Sequence, residues 1–86
     1  MFFHVTLDHQ AENCPQVTTG TSGIPGMLTR ADETGVKVVG VFGGRAQHRV
    51  FFILETDDVA KLNDFLDPAL SWTKCEIDPV MNLTPQ

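Results

Sequence analysis

Three histidines and two cysteines carry most of the reactive chemistry available in this chain of 86 residues. His9 and Cys14 sit in Asp8-His9-Gln10-Ala11-Glu12-Asn13-Cys14-Pro15, and His48 opens a later apolar run, His48-Arg49-Val50-Phe51-Phe52-Ile53-Leu54-Glu55. Imidazole nitrogen and thiolate sulfur together suit Zn²⁺, Cu⁺ or Fe²⁺, and three protein ligands leave a coordination position for water or substrate. Asp8 or Glu12 could add an oxygen ligand or orient an imidazole. Spacing alone does not define the site, because the chain has no C-x-x-C, H-x-H or H-E-x-x-H. The plainer reading is a structural histidine pair at a sheet edge with Cys14 as a small buried residue. His4 stands apart: an imidazole titrating near neutrality, about pKa 6.5, suits a general base. It suits equally a hydrogen-bonded residue in an interface. Cys75 reads as a small core hydrophobe.

The elements that must position these groups follow from periodicity. Residues 2 to 8 alternate, Phe3, Val5 and Leu7 against Phe2, His4, Thr6 and Asp8, which predicts a first strand. Residues 10 to 26, with Gly20, Gly23, Gly26, Pro15 and Pro25 among Thr and Asn, predict a long loop. A short helix is expected from Pro25 to about Glu33, ended by Gly35. Val36 to Phe42 and His48 to Glu55 predict a hairpin around Gly43-Gly44-Arg45-Ala46-Gln47. A second helix, capped by Thr56 or Asp57, carries Val59, Leu62, Phe65 and Leu66 on one stripe and is expected to stop at Pro68. Trp72 to Ile77 alternates as a fourth strand, limited by Pro79. The glycines of 20 to 26 and 43 to 44 do not pass from a strand into a helix as a phosphate loop does, so they read as turns.

The order β-α-β-β-α-β predicts an α+β, ferredoxin-like sandwich: one domain over residues 1 to 86, with two helices covering one face of a four-stranded antiparallel sheet. The first strand then lies between the third and fourth. Setting His9 opposite His48 puts Leu7 by Val50, Val5 by Phe52 and Phe3 by Leu54, with Asp8 facing Arg49 on the other side. The same arrangement brings the loop that holds Cys14 toward the two histidines. The uncovered face is expected to show Phe2, His4, Val39, Val41, Phe51, Ile53 and Trp72 beside Lys37, Arg49, Glu55, Lys74 and Glu76. Such a patch on a small chain points to association, and a sheet-to-sheet homodimer would bury it. Phe51 and Trp72 are candidate walls of a ligand site there, Trp72 lying near Asp8 and His9.

Composition narrows the classes. Lys and Arg number 6 against 11 Asp and Glu, a formal charge of -5, so the chain lacks the basic footprint of nucleic-acid binding. A hydrophobic share of 42% with 20% charged residues belongs to a folded domain. The N-terminal stretch lacks a basic start, and His4, Thr6 and Asp8 interrupt it, which argues against a signal peptide. No run approaches the roughly 20 apolar residues of a membrane span. A cytoplasmic protein with two thiols, and no nucleic-acid or membrane partner, is expected.

The opening Met1-Phe2-Phe3-His4-Val5 resembles the start of muconolactone isomerase-type members of the dimeric α+β barrel superfamily. The stretches 8–15, 48–58 and Glu76-Ile77-Asp78-Pro79-Val80-Met81 are similar to a group of small bacterial and archaeal proteins in that superfamily. The resemblance implies that two ferredoxin-like sheets pack their open faces into a shared barrel, with His4 pointing inward. The Thr/Gly-rich segment 16 to 26 departs from the longer first helix of such folds. Three functions are therefore weighed: a homo-oligomer binding a transition metal or small ligand at His9, Cys14 and His48; an isomerase or cofactor-free oxygenase-like enzyme using His4; and a structural or regulatory subunit of a larger complex.

Overall fold

A computed structural model describes residues 1–10, 24–44, 46–71 and 73–85. The strands are β1 (Phe2–Asp8), β2 (Lys37–Gly44), β3 (Arg49–Glu55) and β4 (Lys74–Val80); the helices are α1 (Ile24–Leu28), α2 (Ala31–Thr34) and α3 (Val59–Leu70). They form one antiparallel sheet in the order β2-β3-β1-β4, an α+β arrangement consistent with a ferredoxin-like fold. Alternation dictates the faces. Phe3, Val5 and Leu7 of β1 and Phe52 and Leu54 of β3 are buried with Met27, Val36, Leu62, Phe65, Leu66 and Ala69, so the core lies between sheet and helices. Phe52 and Phe65 meet edge to face, with centroids 5.9 Å apart.

The β1–β3 register is the one the apolar pattern demands: Leu7 by Val50, Val5 by Phe52, Phe3 by Leu54 and Asp8 by Arg49. A shift by one residue would turn the whole buried set of β1 to the open face. Arg49 Nε donates to Asp8 Oδ1 on that face, as the register implies. Cys75 lies opposite Leu7, half-buried on the helix side. Burial, and then Glu76, push its thiol pKa up, which keeps it an inert thiol.

Several elements depart locally from the sequence reading. The expected single helix over 25 to 33 is two short pieces broken at Thr29 and Arg30. Gly35 does end the second piece, with φ of 77° in the left-handed region and its N–H on Asp32 O. The N-cap of α3 is Asp58, whose carboxylate accepts from Ala60 N–H at 2.8 Å, whereas Thr56 is buried beneath the turn, donating to Gly35 O. The fourth strand starts at Lys74 and runs through Pro79, because β4 is an edge strand and can lack a donor on its outer side.

Pro68 does not stop α3, which continues to Leu70. A proline there cannot donate to the carbonyl of Asp64. Arg30 supplies that hydrogen bond: its guanidinium donates to Asp64 O at 3.1 Å and to Phe65 O at 3.4 Å. The break between α1 and α2 and the tolerated proline in α3 are thus joined through one side chain. Leu62, Phe65, Leu66 and Ala69 form the buried stripe that makes continuation worthwhile.

A bulge in β2 corrects the expected open face. Val38 pairs with Leu54, but Gly40 pairs with Ile53, so Val39 is an extra residue. The phase of β2 reverses after it. Val41 turns to the helix side and packs on the core, and Phe42 takes its place on the open face, 63% exposed. A Cβ on Gly40 would lie 2.9 Å from Cε2 of Phe42, so the missing side chain makes room for that ring.

Candidate functional site

His9 directly follows β1 and His48 directly precedes β3, so the pair forms the next rung after Asp8 and Arg49. His9 N–H donates to His48 O at 3.2 Å, extending the ladder by one bond. By strand parity the two imidazoles fall on the helix side, opposite the face of the Asp8–Arg49 ion pair. Their ring centroids lie 5.2 Å apart, at 77° between planes. His48 has φ of 52°. That left-handed backbone is uncommon outside glycine, and histidine is one of the residues that adopt it more readily. It lets the turn, closed by Gln47 N–H on Gly44 O, deliver His48 toward β1.

Burial, reinforced by neighbouring His48, lowers the pKa of His9 below its ordinary 6.5, while Asp8 acts in the opposite sense. The neutral ring is the form that offers a lone pair to a metal or accepts a hydrogen bond. Two of the three predicted ligands, His9 and His48, are therefore brought together. The third, Cys14, lies outside the described residues, as does Trp72. Among the described residues no further His, Cys, Asp or Glu completes a set of three.

The open face offers different chemistry. His4 and Phe51 are half-buried there, with ring centroids 5.6 Å apart and planes tilted by 41°. Across the sheet, His4 stands between Ile53 on β3 and Asp78 on β4. Phe42 stands opposite Phe51, so Phe2, His4, Phe42, Phe51 and Ile53 make an apolar half adjoining β1, β2 and β3. The β4 half carries Lys74, Glu76 and Asp78. Unbroken alternation leaves Phe42 out of the open face. A glycine inside β2 signals a bulge, and that signal would have exposed Phe42.

Charges on this face are matched within the chain. Lys37 pairs with Glu55 at 3.9 Å, Lys74 with Glu76 at 3.6 Å, and Arg49 with Asp8. Among the described residues, with Asp78, the face holds three basic and four acidic ones, close to neutral in a chain of net charge -5.

The described helices include none long and apolar enough to cross a membrane. A model of the family described as "Domain of unknown function (DUF3303)" matches residues 1–84. The chain belongs to that family. No curated protein matches it.

Proposed function

We propose that this DUF3303 chain is a homo-oligomeric protein of the dimeric α+β barrel type that binds a transition metal ion or small ligand at the end of β1. The observation that carries this reading is the imidazole pair, His9 against His48 with ring centroids 5.2 Å apart, on residues that the backbone bond between them holds at one rung. Cys14, five residues after His9 in the sequence, is the proposed third ligand, and zinc, copper or iron are the metals such a set accepts. The neutral state favoured at His9 leaves less proton competition for its ring. On this reading the protein works in a reducing cytoplasm, where Cys14 stays a thiol.

Association is supported by the open face. Its apolar half is uncovered in the single chain, and its near neutrality allows it to meet a copy of itself without the repulsion that the remaining acidic surface would impose. In such a dimer the faces would enclose Phe51 and His4.

Metal analysis of protein purified without an affinity tag, followed by zinc titration of His9→Ala, His48→Ala and Cys14→Ser, tests the site. Binding near one metal per chain is expected, weakened by roughly tenfold or more in each variant. Unchanged zinc affinity in both histidine variants would remove the proposal.

A second reading is favoured by one feature, the placement of Asp78 opposite His4 beside Phe51. An imidazole and a carboxylate at one rung of the open face are the two groups a proton transfer needs, so the pair suits that chemistry on a small ligand held in the dimer interior, an isomerase-like role. A dimer structure in which interface side chains seal His4 with no adjoining cavity would dismiss it.

A further inference from the structure

We propose that the C-terminal segment, residues 81–85, leaves its own chain and adds as a strand to the β2 edge of a second copy. The inference rests on the association of two copies proposed above and is independent of the metal site. Its first support is the tail. Met81 and Leu83 are 80% and 81% exposed, and residues 81–85 belong to no helix or strand. Among the described residues the segment's bond is a local one, Thr84 N–H to Asn82 Oδ1 at 3.0 Å. Two large apolar side chains at alternate positions, separated by Asn82 and followed by Thr84, form a period-2 pattern with one apolar side. The segment carries no charge in an otherwise acidic chain.

The second support is the contrast between the two sheet edges. β4 carries Lys74, Glu76, Asp78 and Pro79, the charges and proline that discourage further pairing. β2 carries one charge, Lys37 at its start, and no proline; beyond the bulge at Val39 the stretch Gly40 to Gly44 is uncharged, and among the described residues only β3 pairs with it. Its outer row of backbone donors and acceptors is a template for an extended segment. Beside that edge lies a groove of about 670 Å³ whose wall joins the apolar Leu28, Ala31, Val38 and Val41 to the charged Asp32, Lys37 and Glu55. A strand laid along β2 with Met81 and Leu83 toward the groove sets them against its apolar residues Leu28, Val38 and Val41, and turns Asn82 and Thr84 to the open face.

The donor must be a second copy. β2 and β4 are opposite edges of the sheet. A chain's own tail would have to cross the ends of β1 and β3, arriving across the strands and unable to run along β2. A face-to-face pair brings the β4 end of one copy toward the sheet edge of the other, and reciprocal exchange satisfies both edges.

Sedimentation equilibrium on the intact chain, on a chain ending at Val80, and on the double variant Met81→Asp with Leu83→Asp gives the first measurement. Both altered chains should show a dimer Kd raised by about tenfold or more, since four apolar side chains per dimer lose their cover. Isotope-filtered NOE spectra of a dimer mixed from ¹³C-labelled and unlabelled chains give the second. Methyl contacts from Met81 or Leu83 of one copy to Leu28, Val38 or Val41 of the other are expected. A dimer with unchanged Kd in both altered chains, or tail contacts confined to one chain, overturns the exchange and leaves the face-to-face pairing standing. A chain that stays monomeric at millimolar concentration overturns both.

Discussion

Phe51 and Phe52 are neighbours in β3 and identical in type, yet they belong to opposite sides of the sheet. Phe52 is 0% exposed and packs on Phe65, whereas Phe51 is half-buried beside His4 on the open face. The helix side is closed by the chain's own residues: every rung from Phe3–Leu54 to Leu7–Val50 is apolar and covered. The open side has aromatic residues near one edge and matched ion pairs around them. The first arrangement stabilises one chain, while the second becomes stabilising only when something else excludes water from it.

Truncating the two rings separates these cases and should give the largest effect. Phe52→Ala is expected to cost about 3–5 kcal/mol, the usual range for emptying a packed aromatic site, at any protein concentration. Phe51→Ala should cost the monomer about 1 kcal/mol or less. At high concentration its cost should grow, because a dimer that covers the face links folding to association. Thermal unfolding of both variants across a hundredfold range of concentration checks this, about 100-fold being enough to move a linked transition by several degrees. Equal losses for the two variants, independent of concentration, would erase the distinction between the faces.

The two sides were not equally legible in the sequence. Strict alternation in β1 and β3 fixed the core, the register and the meeting of His9 with His48, since burying one face allows a single phase. The open face carries no such demand, so alternation alone does not reveal the bulge at Val39 and puts Val41 on the wrong side in place of Phe42. Helix ends failed for another reason. Local rules place a stop at Pro68, but a residue more than thirty positions earlier, Arg30, supplies the missing hydrogen bond. Long-range compensation of this kind has no local sequence signal. Of the candidate site, the two histidines were readable from topology; the environment that lowers the pKa of His9 depends on burial, which spacing does not report.

Arg30 gives the next prediction, since it is a polar requirement inside the otherwise apolar helix layer. Removing it leaves the Asp64 and Phe65 carbonyls short of a charged donor, for an expected loss of about 1–2 kcal/mol in Arg30→Ala, reduced from the usual charged-bond range because the contact is partly exposed. Pro68→Ala restores the backbone N–H that Asp64 O lacks. A double-mutant cycle by urea unfolding should therefore show Arg30→Ala costing about half as much or less in the Pro68→Ala background. Strict additivity would mean that the helix passes through Pro68 without help from Arg30.

The smallest expected effect lies where the two faces meet, at the rungs Asp8–Arg49 and His9–His48. The ion pair is on the open side, half in solvent, and is worth little. The imidazole pair is on the covered side, and burial holds the pKa of His9 below 6.5. An unfolded chain has His9 near its ordinary value, so in the window just under pH 6.5 the unfolded state binds more protons than the folded one. Stability contributed by the neutral ring is complete above pH 6.5 and falls as acid is added through that window. Melting of metal-free protein in a chelating buffer should thus show a Tm that declines from pH 7.5 to 5.5. In His9→Asn the decline should be shallower, because that titration is gone, whereas Asp8→Asn with Arg49→Gln should leave it in place. A slope unchanged in His9→Asn would mean that the ring is no more desolvated than the ion pair behind it, and that the covered side ends at Leu7.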